Sequence, residues 1–358
     1  MRLPRFGYKA PKTIKEAISV LSGSGGDARV IAGGTDLLVS MKQRRFIPRF
    51  LVDIKGIKGL TYIENSNGHI RIGALTTLSA IEASDLIQEK LPALAKAAGD
   101  VGAPQHRNAG TIGGNLCLNT RCWYYNQSPF FRKCRAVCYK FGSDEDKCQL
   151  FPTRKGKANI CYSVYCGDTA PSLIALGAKV KIRGPDGERT IPLMDLFTGN
   201  GKAPIALGPA DILTEIIIPN PPPNSRSAYL KYRIRDAIDF PLVGVAASIA
   251  LDSKDGVCEE ASIVLGAVAS RPVNVNSAQD ILKGKKITDD LIEEVSEESF
   301  RTAKPLPNLM DCTPQYRKRL VRVFTKRAIH QALQDIQSNK HGGKNAEIFR
   351  NRQKYSPD

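Results

Sequence analysis

Six of the nine cysteines fall between Cys122 and Cys166, three of them inside "CRAVCYKFGSDEDKC", which runs from Cys134 to Cys148. Thiols this close in sequence can pair as disulfides, ligate a metal, act as a nucleophile or pack as small hydrophobes. The basic N-terminus "MRLPRFGYKAPKT" lacks an apolar run of signal-peptide length. No segment reaches the ~18 uninterrupted apolar residues of a membrane span. A cytoplasmic protein is therefore expected, in which thiols stay reduced and clustered cysteines favour metal over disulfide. The odd cysteine count points the same way. Four thiolates suit either zinc or an iron–sulfur cubane, and the wide intervals do not match the compact ferredoxin run. Spacing alone leaves the metal open.

A second kind of chemistry is written in two glycine pairs, "AGGTD" at 32–36 and "TIGGN" at 111–115. Adjacent glycines let backbone amides approach phosphate oxygens with no side chain between, and a neighbouring Thr adds a hydroxyl donor. Either pair alone reads equally well as a tight turn. Asp36 would repel a phosphate and better suits backbone amides or a ribose. Neither pair has the GxGxxG spacing, so a Rossmann site is not expected.

The elements that must hold these groups alternate along the first half of the chain. "TIKEAISVLS" opens with a capping box, Thr13 to Glu16, and puts Ala17, Ile18 and Leu21 on one helical face. "ARVIAGG", "FLVDI" and "HIRIGAL" read as strands, "TDLLVSMKQ" and "LPALAKAAGDV" as helices. Beyond the cysteines, "AKVKIRG", "ERTIPL" and "DILTEIIIP" resume strand patterns. "PNPPPN", Pro219 to Asn224, cannot carry regular hydrogen bonding and reads as a linker. After it "SAYLKYRIRD", "LVGVAASIALD" and "EEASIVLGAV" read as strands, and "TDDLIEEVSEESF" and "YRKRLVRVFTKRAIHQALQDI" as helices. In the latter, Leu320, Phe324, Ala328, Ala332 and Ile336 form one stripe. The domains expected are 1–224, with a cysteine-rich insertion over about 116–165, then 225–337, then a basic polar tail over 338–358. The insertion lacks a period and is expected to be organised by its ligands, with Trp123, Tyr124, Tyr125, Phe130 and Phe131 packing its core. His106, near the second glycine pair, is expected to be structural. The net charge is +17, and residues 316–358 hold eleven basic against three acidic side chains. No nucleic-acid module accompanies that charge, so an acidic protein partner is expected.

Taken together, "VIAGGTDLL" and "GTIGGNLC" resemble the flavin-binding medium subunits of the xanthine oxidase family of molybdenum hydroxylases, a likeness extending to about residue 337. "NTRCWYYNQS", "DKC", "CYSVYCGDTAP" and "RIRDAIDFPLVGVAA" are similar to a branch of that family that reduces an aromatic acyl-CoA. Its medium subunit carries a cysteine-bearing insertion with a [4Fe-4S] cluster. The resemblance implies an α+β fold, with a two-part PCMH-like FAD-binding domain holding the insertion and a smaller α+β domain after it. It implies that Val30, Ile31, Ala32, Gly33, Gly34, Thr35, Asp36 and Leu37, with Thr111, Ile112, Gly113, Gly114 and Asn115, wrap the FAD diphosphate. Asp168 in "GDTAP" would bond FAD hydroxyls, and Lys231 in "LKYRIRD" would reach the cofactor from the second domain.

Cys122, Cys138, Cys148 and Cys161 match the cluster ligands, whereas Cys134 and Cys166 depart from the pattern. A helical "CRAVC" would put Cys134 and Cys138 on one side and make Cys134 the first substitute. Cys117, Cys258 and Cys312 are expected to be packing thiols. The chain has neither a molybdopterin site nor the plant-type [2Fe-2S] cysteine run, so no catalytic residue is assigned to it. The resemblance implies an electron-transfer subunit working with a molybdopterin-binding large subunit and a [2Fe-2S] small subunit, fed by a ferredoxin-like acidic donor. Two rivals are the FAD subunit of an oxidative molybdenum hydroxylase, and a zinc-stabilised basic binding module without redox function.

Overall fold

The computed structural model describes residues 2–151, 160–252, 256–307 and 312–340. The expected basic tail lies outside the described residues from 341 onward, and the helix before it, Pro314–Lys340, runs into the tail's first positions.

Three sheets organise the described residues. The first is parallel, in the order β1 (Gly7–Lys9), β3 (Phe50–Asp53), β2 (Ala28–Ile31). The second has five antiparallel strands: β4 (Ile63–Ser66), β5 (His69–Gly73), β8 (Ile212–Pro219), β6 (Lys179–Gly184) and β7 (Gly187–Pro192), in that order. The third, also antiparallel, follows the proline-rich stretch. It runs β12 (Val273–Asn274), β11 (Cys258–Gly266), β10 (Val243–Leu251), β9 (Ser225–Tyr232).

Sequence explains the placement. Strand β8, "ILTEIIIP", is almost wholly apolar and lies central and buried, whereas β7, "GERTIP", is an exposed edge. The acidic side chain in β8, Glu215, is tolerated because Arg71 (2.7 Å), Lys181 (3.3 Å) and the Tyr62 hydroxyl (2.5 Å) meet it. The helix Ile14–Ser22 starts where expected. The Thr13 hydroxyl accepts from Glu16 N, but the Glu16 carboxylate reaches back to Lys12 N, one residue beyond the reciprocal box.

Strand β4 is absent from the strands expected above. Its signal was the dipeptide Asn67–Gly68, both at positive φ (52° and 74°), a turn of the primed type that closes the β4–β5 hairpin. On the Pro314–Lys340 helix the expected stripe holds: Ala328, Ala332 and Ile336 are buried in the C-terminal core, with Leu320 and Phe324 packed against it. A further small cluster, including Ala93, Ala97, Ala175, Tyr229, Ala246 and Val264, joins the helices Pro92–Gly99 and Thr169–Ala175 to the C-terminal sheet. No described helix is long and apolar enough to cross a membrane.

Among its described residues the insertion has one short helix, Pro129–Lys133, capped by the Ser128 hydroxyl, and its two ends are tied by mutual Arg121–Val164 backbone hydrogen bonds of 2.7 Å. "CRAVC" is not helical. Cys134 is the residue at which the helix stops, so the expected shared face of Cys134 and Cys138 does not exist. Nor do all the aromatics pack inward. Tyr125 is buried, but Phe130 is 78% and Trp123 42% exposed.

Candidate functional site

The first glycine pair packs on the residues that lead into the second, Ala109 and Gly110. Val30 and Ile31 end β2, Ala32 to Thr35 make the turn, and Asp36 precedes the helix Leu37–Lys42. Gly33 lies so close to the second loop that a Cβ would overlap the Ala109 carbonyl, and a Cβ on Gly110 would stand 3.6 Å from Thr35 Oγ1. Gly34 is at φ +71°, which side chains rarely adopt. In the second loop Thr111 Oγ1 accepts from Gly114 N (3.1 Å) at the start of the helix Ile112–Leu116. Ile112 N donates to Thr76 O (3.0 Å) and Gly113 N to Ala74 O (2.9 Å). Those two amides are thus spent on the protein's own backbone. Gly114 is the exposed member, with only Thr111 Oγ1, at 3.1 Å, near its missing Cβ.

Each remaining candidate has a definite partner. Asn115 is buried, and its Oδ1 accepts from Thr169 Oγ1 (2.7 Å) and Thr169 N (3.3 Å). Asp168, next to that threonine, is buried and takes hydrogen bonds from Tyr229 (2.9 Å) and Lys231 Nζ (3.1 Å). Lys231 comes from β9, has a side chain 1% exposed, and also donates to Asp100 O (2.8 Å). Burial raises the Asp168 carboxyl to about 6, against the lowering influence of Lys231 and Tyr229. Asp168 and Lys231, predicted separately from sequence, are therefore the two halves of one buried ion pair. Asp36 pairs with Arg121, the residue before Cys122. Among the described residues, His106 points a buried Nδ1 at no hydrogen-bond partner.

Cys122, Cys138, Cys148 and Cys161 line one small cavity, together with Lys140 and Ser163. Burial raises the Cys122 and Cys138 thiols. Opposing it, the amides of Tyr124 and Tyr125 donate to Cys122, and those of Phe141 and Lys140 to Cys138. Amides aimed at sulfur favour the thiolate, the form that binds metal. Cys161 Sγ lies 3.1 Å from Ser163 Oγ. The other cysteines are elsewhere. Cys134 is exposed, and Cys166 is buried, pushed up to about 12, among Arg121, Asp168, Asp36 and Lys231. Cys117 is likewise pushed up to about 12 by burial, and Cys258 to about 11, while Cys312 is buried. None of the nine forms a disulfide. Among the described residues no three Cys, His or carboxylate groups converge tightly enough for a single metal ion.

Sequence reasoning missed the cations around this cavity. Lys140 donates to Asn119 Oδ1 (2.7 Å), Thr120 and Ser163 Oγ (3.3 Å), and lies over the Tyr125 ring at 4.6 Å. Arg45, 6% exposed, lies 5.7 Å from the centroid of the same ring. In a chain with 52 basic residues, nothing in their local sequence marks these two.

A family model described as "FAD binding domain in molybdopterin dehydrogenase" matches residues 4–221, and one described as "CO dehydrogenase flavoprotein C-terminal domain" matches 227–332. The nicotinate dehydrogenase FAD-subunit of Eubacterium barkeri is 31% identical over 80% of this chain and 83% of its own length. The carbon monoxide dehydrogenase medium chain of Afipia carboxidovorans is 29% identical, over 91% and 96%. A solved carbon monoxide dehydrogenase from Hydrogenophaga pseudoflava superposes with a TM-score of 0.75 at 27% identity, covering 93% of this chain and 98% of its own. The expected fold, a FAD-binding domain followed by a smaller C-terminal domain, is the one present.

Proposed function

Because the chain belongs to the family of FAD-binding medium subunits of molybdenum hydroxylases, we propose that it is the FAD- and [4Fe-4S]-carrying subunit of a 4-hydroxybenzoyl-CoA reductase-like complex. Its partners in this reading are a molybdopterin-binding large subunit and a [2Fe-2S] small subunit in the cytoplasm. The groups it holds carry electrons from a low-potential, ferredoxin-like acidic donor toward molybdenum, where the aromatic hydroxyl of the acyl-CoA is removed reductively. One observation carries the proposal: the four cysteines that match the cluster ligands line a single cavity, and Arg121 links it to the glycine loops through Asp36. The flavin family leaves the zinc-module reading without support.

The chain's own residues supply binding and orientation. The loops Val30–Leu37 and Thr111–Asn115, joined through the packing of Gly33 on Ala109 and Gly110, are the proposed diphosphate cradle. Gly114 is its open edge, so Gly114→Val is expected to give folded, flavin-poor protein, read as flavin released on denaturation per mole of protein. Gly33→Val is not a clean test, because its side chain would collide with the Ala109 backbone. Full flavin occupancy in Gly114→Val would remove this loop from the site. The Lys231–Asp168 pair braces the second loop through Thr169 and Asn115.

The relatives named as dehydrogenases favour a second reading, the FAD subunit of an oxidative molybdenum enzyme. Turnover of the purified complex separates the two. Benzoyl-CoA formed from 4-hydroxybenzoyl-CoA with a low-potential donor is expected. No reduction, with oxidative hydroxylation of a heterocycle such as nicotinate, would favour the second. Donor association is expected to slow steeply with added salt, since exposed charges are screened beyond ~10 Å at 0.1 M. Salt-independent kinetics would leave the basic surface without a docking role.

A further inference from the structure

Among the described residues, the cavity described above has more buried positive charge around it than acidic side chains neutralise. Lys140 is one of its walls, and every hydrogen-bond partner it has in Asn119, Thr120 and Ser163 is neutral. The Tyr125 ring, which also lines the cavity, lies between Lys140 and Arg45. Arg45 is 6% exposed, and its Nε and Nη1 have no hydrogen-bond partner among the described residues. Arg121 leaves a buried Nε unpartnered as well. Among the described residues, the acid that faces Arg45 is Asp36, already paired with Arg121. Burying unpaired cations is costly unless an anion belongs beside them.

We propose that Lys140 and Arg45 form a buried cationic wall that offsets the negative charge of the four-thiolate cluster and so sets its reduction potential. The inference rests on the cluster reading above. A cubane held by four thiolates is an anion in both oxidation states, and one-electron reduction adds a further negative charge. A fixed positive charge in a poorly solvated wall therefore favours the reduced form more than the oxidised one. Lys140, on the cavity itself, has the larger effect, and Arg45, behind the ring, the smaller. The roles are electrostatic, so charge matters here more than shape.

The test is an EPR-monitored titration of the purified protein with dithionite as reductant, for wild type, Lys140→Met, Lys140→Arg and Arg45→Met. Iron and sulfide are measured first in each. At the wild-type midpoint, Lys140→Met is expected to hold about a tenfold smaller reduced-to-oxidised ratio, a fall of about 59 mV for one electron. Arg45→Met should shift the same way by less, and Lys140→Arg should stay near wild type. Unchanged midpoints in both Met variants, with the cluster present, would overturn the proposal while leaving the cluster assignment intact. If Lys140→Met fails to assemble a cluster, the Arg45→Met midpoint decides. Loss of flavin at an unshifted midpoint would assign these cations to the phosphates and overturn the proposal. Wild-type protein without iron and sulfide would instead sink the cluster reading itself.

Discussion

Serine at any one of Cys122, Cys138, Cys148 or Cys161 is expected to abolish the low-temperature EPR signal of the reduced protein and most of its iron and sulfide. Serine at Cys134 or Cys166 should leave both unchanged. A cubane takes one thiolate per iron, so each of the four is needed and the remaining nearby cysteines are spectators. The geometry separates the two sets. The four line a common cavity, Cys134 is exposed at the end of the helix Pro129–Lys133, and Cys166 is buried beside Arg121 and Asp168. Flavin should largely remain in the cluster-free variants. The glycine loops are held by their own bonds, such as Gly113 N to Ala74 O and Asn115 Oδ1 to Thr169, and lean on the insertion through Arg121 and Asp36. With little regular structure of its own, the insertion should loosen when its metal is lost. Cluster loss in Cys134→Ser with retention in Cys138→Ser would overturn the ligand assignment.

Lys231→Met should be the most destabilising single change near the glycine loops. It strands Asp168 in a site where both partners are almost fully buried, and removing one member of such a pair costs about 3–5 kcal/mol. The cost should depend on pH. Asp168 is already raised by burial to about 6, above the ordinary carboxylate range near 4, and losing Lys231 raises it further. An acid whose folded pKa is raised is harmless below its unfolded value and exacts its full penalty above its folded one. Urea midpoints should therefore lie close to wild type near pH 4 and fall progressively behind as pH rises toward 8. A variant as stable as wild type at pH 8 would mean that the pair is not buried as described.

Much of this was legible from residue types alone, because local rules decided it. Alternating or wholly apolar runs became β5, β6 and β8, and Thr13 did cap its helix. The glycine pairs marked two real turns, yet their spacing could not tell that Gly33 packs on a backbone carbonyl 76 positions away, at Ala109. Nor could local sequence pair Asp168 with Lys231, which sit on a helix start and a strand in different sheets' surroundings and meet only through tertiary packing. The aperiodic insertion hid most. "CRAVC" has helical spacing but follows the residue where its helix ends, and Lys140 looks like any other surface lysine until its partners are seen. The hairpin strand β4 was missed although Asn67–Gly68 announces it.

The most direct test of the central claim is the composition of the purified chain: flavin released on denaturation, with acid-labile sulfide and iron measured on the same sample. FAD is expected, with iron and sulfide in equal amounts at about four of each per flavin. A preparation with FAD but neither iron nor sulfide, its four cavity cysteines all reactive as free thiols, would contradict it.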